Sequence, residues 1–217
     1  MDTAAIADFL IKYIGLIVLL SFHEWGHAWV ALKCGDDTAR QMGRVSINPI
    51  VHICPIGTVL MPILGFVLSG SALGSFIIGW AKPVPVNPNN LRQPRIDDTL
   101  IAMAGPMMNL LLGALLIGVA KIGVMADAAM LQEIGFRFAA LSLFLCFFNL
   151  LPIPPLDGSH VVKNLVGMSW EFYMKIAQFG FILVIIAIQI PGVNRFIYRM
   201  TVGTLDIFAS LFGLRLN

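Results

Sequence analysis

His23, Glu24 and His27, the fixed positions of His-Glu-Trp-Gly-His, interrupt an apolar segment that runs from Ile6 to Leu32. On an α-helix, residues four apart share a face. Both imidazoles can therefore converge on one metal ion while Glu24 lies beside them, within reach of a metal-bound water. That is the arrangement of a zinc hydrolase. In a segment long enough to span a bilayer, these three groups are costly to insert unless they coordinate a metal, pair, or face a wet cavity.

A catalytic zinc site takes three protein ligands and keeps a fourth position for water, so two histidines need a partner. Asp36, Asp37, Asp97, Asp98, Asp127 and Glu133 fall at span ends or in connections, where solvated caps and ion pairs account for them. Asp157 differs. It follows Asn149-Leu-Leu-Pro152-Ile-Pro154-Pro155-Leu156 and precedes Gly158, at a break in an apolar run. Prolines there unwind a helix and free the backbone to turn a carboxylate inward, so Asp157 is the expected third ligand, with one zinc per chain. Asn149, at the mouth of the same break, is a candidate donor to the substrate backbone or oxyanion; the alternative is that it caps the helix end. His52 and His160 are the remaining histidines, each a lesser candidate for metal contact, with His160 three residues beyond Asp157.

The elements that must position these groups are apolar. Of 217 residues, 58% are hydrophobic and 12% charged, and mean hydropathy is +0.86, the signature of an integral membrane protein. Five stretches approach the ~20 residues a spanning helix needs, near 6–32, 53–80, 99–122, 132–151 and 171–190. Residues 158–170 are read as a half-span or interfacial helix, and 195–217 as an amphipathic surface helix or a sixth span. The fold class expected is an all-α polytopic membrane protein of about five to six transmembrane helices. A small membrane-associated β-hairpin is expected after the first helix, over residues 40–50 around Gly43 and closed by Asn48-Pro49. The proline-rich stretch 81–90 reads as an extended linker.

No interval between spans exceeds about twenty residues, too short for a soluble domain of ~50 residues, so residues 1–217 read as a single membrane-embedded domain. The first apolar segment has no signal-peptide cleavage pattern and is expected to be retained. Fourteen basic and twelve acidic residues are scattered without a dense block, which excludes nucleic acid as a partner. Cys34, Cys54 and Cys146 have no CxxC spacing and read as buried, idle thiols.

Taken together, His23-Glu-Trp-Gly-His27, Gly43-Arg44 with Asn48-Pro49, Gly105-Pro106 with Asn109, and Asn149-Leu-Leu-Pro152 leading to Leu156-Asp157-Gly158 resemble the site-2 protease family of intramembrane zinc metalloproteases. The resemblance runs from about residue 15 to residue 165. It is to the compact form, without an inserted PDZ domain or a C-terminal nucleotide-sensing (CBS) module. It implies zinc on His23, His27 and Asp157, with Glu24 as catalytic base. It also implies transmembrane protein substrates cut within the lipid bilayer, commonly in regulated proteolysis, by a multi-pass protein of the cell membrane.

Two other classes remain. A metal or proton transporter would use the same His/Asp set as a midplane ion site, without needing Glu24 as a base and with pseudo-symmetric halves that the sequence lacks. A scaffold would bind membrane proteins without cutting them. For the protease, a substrate helix must unwind before its peptide bond is accessible, and the 40–50 and 81–90 segments are the candidates to hold it as an added strand.

Overall fold

The computed structural model describes residues 3–67 and 79–214, and every regular element among them is helical. The first, α1 (Thr3–Cys34), and α4 (Pro94–Met125) have 32 residues each. At 1.5 Å per residue each runs about 48 Å, longer than the ~30 Å hydrocarbon core. Along α1 the buried positions Leu16, Leu19, Leu20, His23, His27 and Ala31 recur every three or four residues, while Ile14, Val18 and Trp29 face outward. One stripe thus carries both the packing residues and the histidines.

The buried stripe of α4 includes Ile101, Gly105, Asn109, Gly113, Ile117 and Ala120. Small residues along it let neighbouring backbones approach closely. As a result α4 is the hub, touching α1, α5 (Ala129–Asn149), α6 (Asp157–Leu165) and α9 (Pro191–Leu211). Ile117, Ala120 and Ala139 pack against Ala209 and Leu214 at one end, and Leu143, Phe147, Leu151 and Leu156 against Ile197 nearer the site.

Two expectations are corrected. The first is the β-hairpin, which is absent: residues 38–52 contain a short helix, α2 (Thr38–Gln41), and a 3-10 turn at Pro49–His52. Gly43, at φ +67°, ends α2: its N–H bonds Arg40 O, and Arg44 N–H bonds Ala39 O at 2.8 Å. This is a Schellman helix ending. A glycine in the left-handed region stops a helix as readily as it turns a hairpin, and here the backbone groups are already consumed locally. Asn48 then accepts from Ile50 N–H at 3.1 Å, and Pro49 starts the next turn, so no second strand follows.

The second correction concerns the five to six transmembrane helices. Among the described residues three helices are long and apolar enough to cross a membrane, α1, α4 and α5. A fourth crossing arises if α7 (Trp170–Ala177) and α8 (Gly180–Gln189), bent by 61° at their junction, count as one broken span. The expected span 53–80 is only partly described. Its visible portion is a wide π-turn at Pro55–Leu60 leading into α3 (Met61–Val67), and 68–78 lie outside the described residues. The 21-residue α9 does not reach the apolarity of a spanning helix: its polar and charged residues dilute it, and it buries Ile197, Thr201 and Ala209 on one side.

Candidate metal centre

His23 and His27 sit one turn apart on the buried face of α1, their rings nearly perpendicular at 83°. Asp157 arrives from the far half of the chain. After α5 ends at Asn149, the segment containing Pro152, Pro154 and Pro155 cannot continue a helix, and α6 restarts with Asp157 as its first residue. That restart brings the carboxylate to the imidazoles: His23 Nε2 lies 3.2 Å from Asp157 Oδ2, and His27 Nε2 lies 3.4 Å from Asp157 Oδ1. The two Nε2 atoms are 3.0 Å apart. Among the described residues this is the cluster of His, Cys, Asp or Glu side chains whose ligand atoms converge, all within 4.8 Å.

The third helix at the site contributes backbone and empty space. His27 Nδ1 is 2.6 Å from the Ile101 carbonyl of α4, an acceptor, so this nitrogen carries the proton and Nε2 presents its lone pair. One turn further along α4, Gly105 faces the same point: a Cβ there would lie 2.3 Å from His27 Nε2 and 2.6 Å from His23 Nε2. Only a residue without a side chain leaves the two nitrogens room.

Glu24 is buried beside them and accepts a hydrogen bond from the backbone N–H of Val84 at 2.9 Å. The loop that supplies this amide is held from behind. Arg44, buried, donates from one guanidinium nitrogen to Pro83 O at 2.6 Å and from the other to Lys82 O, and Lys82 N–H bonds His52 O at 2.8 Å. The extended character expected of residues 81–90 is therefore present up to a 3-10 turn at Pro88–Asn90. The Asp36 carboxylate pins that turn, accepting from Asn87 N–H at 2.7 Å and Asn90 Nδ2 at 2.9 Å.

Other candidates fall elsewhere. Asn149 ends α5 with its Nδ2 donating to Leu145 O at 2.9 Å, a helix-end contact one turn back. His52 Nε2 lies on Ser46 O at 2.7 Å, and His160 Nδ1 on the Asp98 carboxylate at 3.1 Å, so neither joins the triad. Asn109 is fully buried and its side-chain amide finds no partner among the described residues, while its backbone O accepts from Ser142 Oγ. Cys34 and Cys146 are buried free thiols.

A scan against protein-family descriptions matches residues 11–126 and 114–187 to Peptidase family M50, more than half of the chain. The chain belongs to peptidase family M50. The first matched segment contains His23, Glu24 and His27, the second contains Asp157, and the fold closes the two halves on each other. Among curated relatives, "Putative zinc metalloprotease YwhC" of Bacillus subtilis is 36% identical over 92% of this chain and 90% of its own length. "Putative zinc metalloprotease Rip2" of Mycolicibacterium smegmatis is 28% identical over 91% of this chain and 74% of its own. The Mycobacterium tuberculosis (strain H37Rv) protein of the same name is 26% identical over 92% of this chain. No solved structure matches.

The residues present fit the zinc that an M50 peptidase would hold. Two imidazole nitrogens and a carboxylate converge in a shielded space, with the His27 Nε2 lone pair directed at the other two, and these are the nitrogen and oxygen donors that zinc takes. Asp157 Oδ2 also finds no hydrogen-bond donor among the described residues. The separations of 3.0, 3.2 and 3.4 Å bracket the edge of a tetrahedron built on metal–ligand bonds of about 2.0–2.1 Å, which is about 3.3 Å.

Sequence reasoning missed three contributors to this candidate site: Ile101 as the acceptor that sets the His27 tautomer, Arg44 as the anchor of the loop, and the Val84 amide on Glu24. Two act through the main chain, which leaves no side-chain signature. Arg44 carried a signal, a lone guanidinium beside a helix-ending glycine, that the hairpin reading assigned to a strand.

Proposed function

We propose that this chain is an intramembrane zinc metalloprotease, a multi-pass cell-membrane enzyme that hydrolyses peptide bonds within or near transmembrane segments of other proteins. The observation that carries the reading is the convergence of His23, His27 and Asp157, with Glu24 adjacent, on helices apolar enough to lie in a bilayer. Family membership and the names of the relatives support the zinc peptidase chemistry. The whole of 1–217 acts as one membrane-embedded domain.

His23 Nε2, His27 Nε2 and an Asp157 oxygen would hold the metal. Zinc bound there would supply Lewis acidity, lowering the pKa of water to about 7 and polarising a carbonyl. Glu24 takes the attacking water's proton and delivers it to the leaving amine. Ile101 keeps the His27 proton on Nδ1, away from the reacting side. For Glu24 to work, the Val84 amide must share or release its carboxylate, which couples the 81–87 loop to catalysis. Substrate held along that loop by main-chain hydrogen bonds meets the site directly, whereas residues 44–48 form no strand that could hold it. Asn149 reaches the substrate backbone or the oxyanion by giving up Leu145 O.

The test is cleavage of a model transmembrane substrate by the purified chain in liposomes, comparing wild type with Glu24→Gln and Asp157→Asn. Loss of cleavage in Glu24→Gln with about one zinc retained per chain, and loss of both in Asp157→Asn, supports the protease. An inert wild type that carries metal across the bilayer refutes it.

A further inference from the structure

The mechanism above leaves one buried polar cluster unused. Asp98, near the start of α4, accepts from three side chains of α6: His160 Nδ1 at 3.1 Å, Lys163 Nζ at 2.8 Å and Asn164 Nδ2 at 2.7 Å. Asn164 Nδ2 also reaches Thr99 Oγ1 at 3.0 Å. The cluster is shielded: the Asp98 and Lys163 side chains are 15% and 9% exposed, and Lys163 Nζ lies 4.9 Å from the Trp170 ring centroid and 5.4 Å from that of Tyr173. Ser159 adds a 2.9 Å contact between its Oγ and Tyr173 Oη, tying α6 to α7 as well.

The spacing gives this cluster its meaning. On α6, Asp157 and Asn164 are seven residues apart and share one stripe; on α4, so do Asp98 and Gly105. Gly105 faces the imidazoles that Asp157 meets, while Asp98 meets Asn164, so the two helices run in opposite directions and touch at two points about 10 Å apart. One point is the metal centre, and the other is Asp98. Two such points fix both the rotation of α6 about its own axis and its sliding along α4. α6 has only nine residues and begins with the ligand itself, after a proline-broken segment that is not helical. A short helix entered from such a segment needs an anchor at its other end to hold its first residue to a few tenths of an ångström.

We propose that Asp98 is a positioning residue for the metal centre, fixing α6 so that the Asp157 carboxylate meets His23 and His27. This rests on the zinc-site reading above. Asp98 touches neither substrate nor metal and acts through His160, Lys163 and Asn164.

The test uses the full chain in detergent, with Co²⁺ replacing zinc as a spectroscopic probe and chelator competition giving affinity. Asp98→Ala should weaken metal binding by about 10–100-fold and alter the intensity and position of the visible cobalt bands as the carboxylate leaves the coordination shell. If the lone Lys163 ammonium prevents Asp98→Ala from folding, the double variant Asp98→Leu with Lys163→Met removes both charges and the acceptor oxygens at similar volume and should show the same changes. Ile117→Ala, a cavity in the remote cluster of α4, α5 and α9, should lower the melting temperature while leaving affinity and cobalt spectrum at wild-type values. Wild-type affinity and spectrum in the folded Asp98 variants overturn the proposal, as does an equal loss in Ile117→Ala. Asp157→Asn separates the two readings: if it binds Co²⁺ as wild type does, the metal site itself is wrong.

Discussion

Gly105→Ala adds a single methyl group to α4 and touches no ligand atom by substitution, yet it should empty the metal centre. The new Cβ would lie 2.3 Å from His27 Nε2 and 2.6 Å from His23 Nε2, where ordinary contact begins at 3.4 Å. The two imidazoles must therefore retreat by roughly 1.1 and 0.8 Å, several times the ~0.2 Å tolerance of a well-formed site. Both act on the metal-facing nitrogens, so repair by a rotamer change would sacrifice the coordinating geometry. If each disturbed ligand costs at least the 10–100-fold seen when a ligand's supporting partner is lost, two cost about 10²–10⁴-fold, or about 3–5.5 kcal/mol. The metal-free protein should fare much better. Alanine is favoured over glycine in a helix by up to about 1 kcal/mol, a gain that Pro106 at the next position reduces. Metal content after dialysis against a buffered zinc solution, read beside the melting temperature with chelator, separates the two effects. Wild-type metal affinity in Gly105→Ala would refute the placement of α4 against the histidines.

Chelation should destabilise the wild type: at a free metal concentration 1,000 times Kd, removal costs about 4 kcal/mol, or about 8–16 °C in melting temperature, while Asp157→Asn should show no such shift. Arg44→Met should leave metal content unchanged but lower cleavage about 10–100-fold, the scale of one charge-assisted hydrogen bond, and speed proteolytic nicking at residues 82–87. Asp36 is buried, which pushes its pKa up, but hydrogen bonds from Thr38, Asn90 and Asn87 outweigh burial and hold it below the ordinary 3.8. Its folded-state pKa is thus depressed, so its contribution is present above pH 3.8 and lost as pH falls below it. Asp36→Ala should cost about 1.5–3 kcal/mol at pH 7 and flatten that acid limb in denaturant titrations.

The convergence of His23, His27 and Asp157 was legible because it is carried by side chains whose types are improbable where they stand. His23, Glu24 and His27 are conspicuous in an apolar helix, and Asp157 is conspicuous after three prolines. The three long helices were legible for the same reason that any span is: length and apolarity. What failed was local backbone geometry. Gly43 reads equally as a hairpin turn and as a helix ending, and the choice is made by whether residues 38–41 have already wound up, a matter of propensity too weak to decide over four residues. The 171–190 run reads as one span, yet it bends by 61° between Ala177 and Gly180. There Gly180 lies so close to Pro154 O that a Cβ would sit 2.6 Å away, a tertiary contact that hydropathy does not encode. Asp98 was passed over as an ordinary span-end carboxylate, because its partners at 160–164 are adjacent only after α6 folds back.

The hydrogen bond on Glu24 comes from the amide of Val84, and a peptide N–H is invisible to most genetics. Alanine scanning of residues 81–90 would exchange the isopropyl group at position 84, leave the donor in place and score the position as silent. Among the standard residues only proline deletes an N–H, and between Pro83 and Pro85 it would make three consecutive prolines. Position 84 would then tolerate nearly every residue while the hydrogen bond beneath it, the hold on Glu24, went untouched by every one of them.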